Sequence, residues 1–245
     1  MESLKRLGLI AAALTLIHGL YLAFYFLWVL ILILMGLSSS APPILNPLAL
    51  AVLDTAVYLF VGVGMLRGRR GYYVYAILWT LWGALLGTFV ATYKNSVLNL
   101  LSFLIVFSCT YYHVSANKTS SEVVKTLGRF AGGLAVIQGI IVIVALVLLR
   151  MGFLPFGLIS VIKPYPQTVF VPTFFDLLVT GVIYLALGLG MLRRRQEVFF
   201  LTIFWTIVEA VLTIANQSYT YTHFNVISMT ILAFATYYYF SKAKT

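Results

Sequence analysis

Gly62-Val63-Gly64-Met65-Leu66-Arg67 recurs 126 residues later as Gly188-Leu189-Gly190-Met191-Leu192-Arg193. The similarity extends on both sides of this pair: Val57–Lys118 aligns with Ile183–Lys244 without a gap, and 22 of the 62 positions are identical. A repeat of this length fixes the architecture more firmly than a single motif could, because each copy must form the same structural unit. Other identical positions are Trp79-Thr80 with Trp205-Thr206, Asn99 with Asn225, Ser102 with Ser228, and Thr110-Tyr111-Tyr112 with Thr236-Tyr237-Tyr238.

The composition is that of an integral membrane protein. Of the 245 residues, 62% are apolar and 9% are charged, against about 25% charged residues in an ordinary soluble domain. The apolar residues form stretches of roughly 20, which is the length of a helix that crosses a bilayer. We therefore predict an all-α fold with eight transmembrane helices. The predicted spans are Leu7–Met35, Leu45–Leu66, Tyr72–Thr92, Val97–His113, Leu127–Leu149, Val171–Leu192, Val198–Asn216 and Thr222–Phe240.

The basic residues predict the orientation of these spans. With Met1 in the cytoplasm, 13 of the 16 lysines and arginines fall in cytoplasmic segments, and only Lys94, Arg150 and Lys163 fall outside. Such a bias sets membrane topology, so both termini are predicted to be cytoplasmic in a multi-pass protein of the cell membrane. Each half then contains an even number of spans. The prediction is two four-helix repeats of parallel orientation, residues 1–118 and 119–245.

The net charge of +10 does not indicate nucleic-acid binding, because the basic residues lie in short turns where the orientation rule and anionic headgroups account for them. The expected partners are the lipid bilayer and either further copies of this chain or other subunits of a membrane complex. The single cysteine, Cys109, excludes a disulfide framework or a cysteine-based metal site within one chain.

Three of the six acidic residues, Asp54, Asp176 and Glu209, fall inside predicted spans. A carboxylate in hydrocarbon costs several kcal/mol unless it is paired, protonated or hydrated, so such a residue indicates a functional site. The alternative is a structural one, in which the carboxyl groups are protonated and hydrogen-bond to neighbouring helices as interhelical contacts.

Helical spacing places two of these acids on a face with a tyrosine. Asp54 and Tyr58 are four residues apart in the second span, and Asp176, Thr180 and Tyr184 follow at the same spacing in the sixth. Residues four apart share a helix face. The two tyrosines are equivalent in the repeat, whereas the acids are displaced by one turn. We predict that both faces point into the helix bundle and bind a substrate or ion.

Glu209 breaks the symmetry of the repeat, since its equivalent is Gly83. His18 lies near the middle of the first span, and its counterpart at an offset of 120 is Gln138. A position that alternates between His and Gln indicates a hydrogen-bonding group rather than a metal ligand, and His18 is a candidate proton-relay residue. The three histidines fall at three depths, so bis-histidine haem is not expected, and no metal or other cofactor is predicted.

The half-unit resembles DoxX-like four-helix membrane proteins in His18-Gly19 of the first span and in the glycine-rich end of the second span, which runs into Leu66-Arg67. These motifs are short and apolar, so the resemblance implies a four-helix membrane unit and assigns a role to no residue.

Two functions are compatible with this pattern. The first is a small permease or channel that handles a cation, a proton or a small solute at the repeat interface. The second is a non-catalytic subunit or assembly scaffold of a larger membrane complex. An intramembrane enzyme or a lipid or quinone binder is a third, less favoured possibility, because the sequence contains no phosphate-binding loop, no nucleophile elbow and no metal-binding His-Glu-x-x-His motif.

Overall fold

The computed structural model of the protein describes residues 2–35, 45–90, 96–116, 118–150, 170–215 and 226–242. These residues form eight α-helices, and none of them lies in a strand, which confirms the predicted all-α class. Each predicted span overlaps one of these helices, and the second begins and ends at the predicted residues. The helices are α1 Glu2–Leu34, α2 Leu45–Leu66, α3 Gly71–Val90, α4 Ser96–Ser115, α5 Ser120–Arg150, α6 Phe170–Leu192, α7 Gln196–Ala215 and α8 Val226–Lys242.

The described helices differ in how well they meet the requirements of a membrane crossing. Three apolar stretches are long enough to span a bilayer: Glu2–Trp28, Leu98–Ser115 and Ser120–Val144. Val52–Leu66 in α2 and Leu178–Leu192 in α6 are shorter apolar stretches. Three of the eight predicted spans therefore have the length and hydropathy of a bilayer crossing within the described part of the chain.

The chain forms two compact units. The first contains Met1–Gly83 and Asn95–Ala116, and the second contains Ala84–Lys94 and Asn117–Thr245. In the second unit α5 packs against α6 and α8, and α7 also packs against α6 and α8, so the four helices form a closed ring. In the first unit α1 packs against α2 and α4 in the same way. A hydrogen bond from Tyr58 to Thr80 joins α2 to α3.

Glycines allow α5 and α6 to approach each other backbone to backbone. A Cβ atom added to Gly188 would lie 2.6 Å from the backbone nitrogen of Val136 and 2.9 Å from the carbonyl oxygen of Gly132. One added to Gly139 would lie 2.7 Å from the carbonyl oxygen of Gly181. The pairs Gly132–Gly188 and Gly139–Gly181 are seven residues apart on each helix, as expected for small residues along one antiparallel helix seam.

A pair of aromatic rings packs at equivalent positions in the two units. In the second unit the rings of Phe199 and Tyr238 stack with their centroids 3.9 Å apart, and Tyr238 lies against Gly128 of α5. In the first unit the equivalent rings of Tyr73 and Tyr112 are 4.3 Å apart and lie against a glycine of α1. The two halves thus share tertiary contacts as well as sequence.

The turns after α2 and α6 have the same conformation but different residues at the position with a left-handed backbone. Gly68 has a φ of 73° and Arg194, its equivalent, a φ of 59°. The backbone nitrogen of each residue donates to the carbonyl oxygen three residues earlier, at 2.9 Å for Gly68 and 2.8 Å for Arg194. This left-handed conformation favours glycine, because a Cβ atom crowds the following carbonyl oxygen.

We expect Arg194→Gly to stabilise the second unit by about 0.5–1 kcal/mol, because the relief of left-handed strain exceeds the entropy that glycine loses on folding. Gly68→Arg should destabilise the first unit by a similar amount. Gly71→Arg is the matched control, since Gly71 is exposed and a Cβ atom there would meet no described atom within 4 Å. Thermal unfolding in one detergent measures all three, and equal effects of Gly68→Arg and Gly71→Arg would contradict the strain argument.

Candidate functional site

The candidate site of the second unit is a hydrogen-bonded cluster around Tyr184 of α6, whose side chain is fully buried. The Tyr184 hydroxyl donates to Oε2 of Glu209 on α7 at 2.5 Å. It also lies 3.4 Å from the hydroxyl oxygen of Ser228 on α8. One tyrosine hydroxyl therefore connects three helices of the unit.

The sequence of α7 places Glu209 in this cluster. Thr202, Thr206 and Glu209 follow at i, i+4 and i+7, so they share one helix face, and all three are buried. The Thr202 hydroxyl donates to the carbonyl oxygen of Val198 at 2.8 Å, and that of Thr206 donates to the carbonyl oxygen of Thr202 at 2.7 Å. The threonine hydroxyls thus use their protons within α7. Glu209 is 6% exposed, and its carboxyl group is the one that the described residues contribute to the cluster around Tyr184.

The candidate site of the first unit is built on Tyr58 of α2, the equivalent of Tyr184. Its hydroxyl donates to the hydroxyl oxygen of Thr80 on α3 at 3.1 Å. Its ring lies against the imidazole of His18 on α1, with the centroids 4.3 Å apart. His18 and Tyr58 are both 4% exposed. Three helices again meet at one buried tyrosine.

Asp54 makes a contact that helical spacing alone does not predict. Its Oδ1 accepts a hydrogen bond of 3.1 Å from the indole nitrogen of Trp79 on α3, and Asp54 is half-buried. The interaction joins α2 to α3 close to the Tyr58–Thr80 hydrogen bond. A carboxylate that accepts from an indole is partly compensated for its loss of water.

The structure divides the predicted site residues between the two units. His18 and Tyr58 meet in the first unit, where Asp54 is held by Trp79. Tyr184 and Glu209 meet in the second. Thr180 is 5% exposed on the helix face that carries Tyr184. Asp176 belongs to α6, but its side chain lies outside the described residues.

Sequence reasoning did not select the hydroxyl partners Thr80, Thr206 and Ser228. The signal was present, because Thr80 and Thr206 are identical at equivalent positions, and so are Ser102 and Ser228. A buried polar residue kept in both halves of a repeat marks a place where the fold satisfies hydrogen bonds. Within the described residues, no group of three His, Cys, Asp or Glu side chains could hold a metal ion.

The Glu209 cluster has the chemistry of a proton or cation site. A carboxylate surrounded by hydroxyl groups can take up and release a proton while its neighbours reorient their O–H bonds. The same oxygen atoms are the ligand type that small hard cations prefer. Comparison of the chain with protein-family models, with curated proteins and with solved structures gives no match, and the resemblance to DoxX-like proteins gains no support from them.

Proposed function

We propose that this chain is an eight-span membrane protein that moves a proton, a small cation or a small solute across the bilayer through its buried polar clusters. The repeat, the bias of 13 of 16 basic residues toward the predicted cytoplasmic side and the three helices of bilayer-spanning length support the membrane assignment. Both termini would be cytoplasmic, and the two repeats would have parallel orientation.

The observation that carries the proposal is the burial of Glu209 with its carboxylate hydrogen-bonded to Tyr184. An ionisable residue inside a membrane bundle is expensive to maintain, and it usually marks a pathway for a substrate, ion or proton. The hydrogen bond between Tyr184 and Glu209 lies within the second unit. We therefore propose that one such site lies in this unit.

The arrangement suggests how a proton would be held. In the charged form, Oε2 of Glu209 accepts the short hydrogen bond from the Tyr184 hydroxyl. When a proton binds to the carboxylate, the new O–H can donate to a neighbouring hydroxyl oxygen, and Tyr184 can turn its own proton toward Ser228. The hydroxyl groups would thereby stabilise both protonation states without a large movement of the helices.

The proposal predicts that Glu209→Gln abolishes transport without unfolding the protein. Glutamine keeps a carbonyl oxygen that can accept from Tyr184 but cannot take up a proton. Purified protein would be reconstituted into vesicles that contain a pH-sensitive dye, and acidification would be followed after a proton gradient is applied. We expect the rate for Glu209→Gln to fall to that of empty vesicles. Cation flux is measured in parallel with a cation-sensitive dye.

The matched control is Glu197→Gln, which removes an exposed acid from the same helix and should leave the flux unchanged. Transport that persists after Asp54, Asp176 and Glu209 are all replaced by their amides would exclude this mechanism. A wild-type protein that conducts neither protons nor small cations would exclude the proton and cation forms of the proposal.

The second candidate function is that of a non-catalytic subunit or scaffold. It is favoured by the way in which the Tyr184 hydroxyl connects three helices, because such hydrogen bonds also act as interhelical contacts worth about 0.6 kcal/mol on average. Native mass measurement in mild detergent separates the two. A stable particle of this chain alone favours the transporter, whereas co-purification with defined membrane proteins favours the subunit.

A further inference from the structure

The first unit has no side chain at the position where the second unit carries Glu209. Tyr58 and Thr80 are equivalent to Tyr184 and Thr206, and both pairs are buried. The residue equivalent to Glu209 is Gly83. Gly83 is half-buried, and a Cβ atom added to it would meet no described heavy atom within 4 Å.

His18 borders the same cluster with an unsatisfied nitrogen. Its Nδ1 atom is buried and has no hydrogen-bond partner among the residues that the structure describes. The side chain is 4% exposed, and its ring lies against that of Tyr58. A buried polar atom without a hydrogen-bond partner costs free energy, which a molecule that hydrogen-bonds to it would recover.

We propose that the first unit binds a small monocarboxylic acid, of the size of acetate or propionate, next to His18, Tyr58 and Thr80. The carboxyl group of the ligand would occupy the place that the Glu209 carboxyl group has in the second unit. In this interpretation Glu209 is the built-in occupant of one site, and Gly83 leaves the equivalent site open to a solute.

The chemistry of a carboxyl group fits the polar atoms present. One oxygen of the ligand accepts from the Tyr58 hydroxyl, as Glu209 does from Tyr184. The second oxygen serves either tautomer of His18: an acid O–H donates to an unprotonated Nδ1, and a carboxylate oxygen accepts from a protonated one. In the structure Tyr58 donates to Thr80 at 3.1 Å, and this bond would exchange for the ligand.

The site predicts saturable binding of one carboxylic acid per chain. Radiolabelled acetate would be titrated into the full-length protein in detergent at mildly acidic pH and measured by equilibrium dialysis. We expect a Kd on the order of 1 mM, because so few atoms contribute to binding. Gly83→Glu should abolish binding by filling the site from within. Gly71→Glu, which adds the same side chain at an exposed glycine, should leave it unchanged.

The reverse change keeps the test decisive even if Gly83→Glu does not fold. Glu209→Gly opens the equivalent place in the second unit, so it should raise the stoichiometry from one acetate to two. Acetate should also raise the thermal midpoint of this variant more than that of the wild type. Absence of binding to the wild type, or unchanged stoichiometry in both variants, would overturn the proposal.

This inference does not rest on transport, because binding is measured in detergent without a membrane. A protein that binds acetate but moves no solute across vesicles would contradict the proposed function and leave the site in place. A protein that conducts protons through Glu209 but binds no acetate would contradict the acetate site and leave the proposed function in place.

Discussion

Gly188→Ala is expected to destabilise the second unit by about 1–3 kcal/mol, the range measured for overpacking a closely packed interior. The added Cβ atom would lie 2.6 Å from the backbone nitrogen of Val136. A flexible side chain could move away from it, but backbone can do so only if α5 and α6 separate. The change is the smallest that chemistry allows, so its cost measures how closely the two helices must pack.

Gly139→Ala should have a similar effect at the second contact along the same seam. Its Cβ atom would meet the carbonyl oxygen of Gly181 at 2.7 Å and the backbone nitrogen of Leu185 at 2.8 Å. Both backbone atoms belong to α6, close to Tyr184. Separation of the helices here would also loosen the site, so we expect a change in flux together with the loss of stability.

Gly133→Ala is the matched control, because Gly133 is in α5 next to Gly132 and an added Cβ atom would meet no described atom within 4 Å. Alanine is about 1 kcal/mol more favourable than glycine in a helix interior, so this variant should be slightly stabilised. Gly139→Ala and Gly133→Ala, both in α5, should therefore change the stability in opposite directions. Thermal unfolding in the same detergent measures both changes. A stabilised Gly139→Ala would mean that the seam is looser than the structure indicates.

The helices of this protein could be predicted from sequence because hydropathy acts locally. The bounds Leu45–Leu66 of α2 match the prediction at both ends, where the chain passes from a proline-rich segment into apolar residues and then to Arg67. Hydropathy is summed over neighbours in the chain, so it needs no knowledge of the tertiary fold. The helix α4 is the exception, because Asn99 and Ser102 lower its mean hydropathy and its prediction is supported by the match of the fourth span to the eighth.

The partners of the buried acids could not be predicted in this way. Helical spacing placed Asp54 on the face of Tyr58, but its partner is Trp79 of the next helix. Glu209 bonds to Tyr184, which is 25 residues away in the chain. Such contacts depend on the rotation of one helix relative to another. That rotation is set by packing details such as the glycines of α5 and α6, and hydrophobic periodicity does not encode it.

The internal repeat identifies some of the residues of the buried clusters that helical spacing does not. It marks Tyr58 and Tyr184 as equivalent, and both are buried at the centre of a cluster. It also marks Thr80 and Thr206, whose role became apparent only with the hydrogen bonds. Where the halves differ, as at Gly83 and Glu209, sequence shows the difference but not its consequence, because the space beside a glycine depends on neighbouring helices.

Tyr184→Phe should destabilise the second unit by about 1.5–3 kcal/mol, the range for a hydrogen bond to a charged group. Phenylalanine keeps the ring and its packing but removes the hydroxyl that donates to Glu209 at 2.5 Å. The carboxylate would then remain in the interior without this hydrogen bond. Adding Glu209→Gln to the Tyr184→Phe variant should recover part of the lost stability, since a neutral amide costs less to bury than a carboxylate.

Tyr58→Phe is the internal control for that result, because it removes the equivalent hydroxyl from the first unit. There the hydroxyl donates to a neutral threonine at 3.1 Å, and the expected cost is nearer 0.6 kcal/mol, about the mean for hydrogen bonds between membrane helices. Thermal unfolding of Tyr184→Phe, of Glu209→Gln and of the variant with both changes gives the coupling between tyrosine and acid, and Tyr58→Phe is measured in the same way. Equal costs for the two tyrosines would mean that Glu209 is neutral in the folded protein, since only a charged carboxylate makes the hydroxyl of Tyr184 worth more than that of Tyr58.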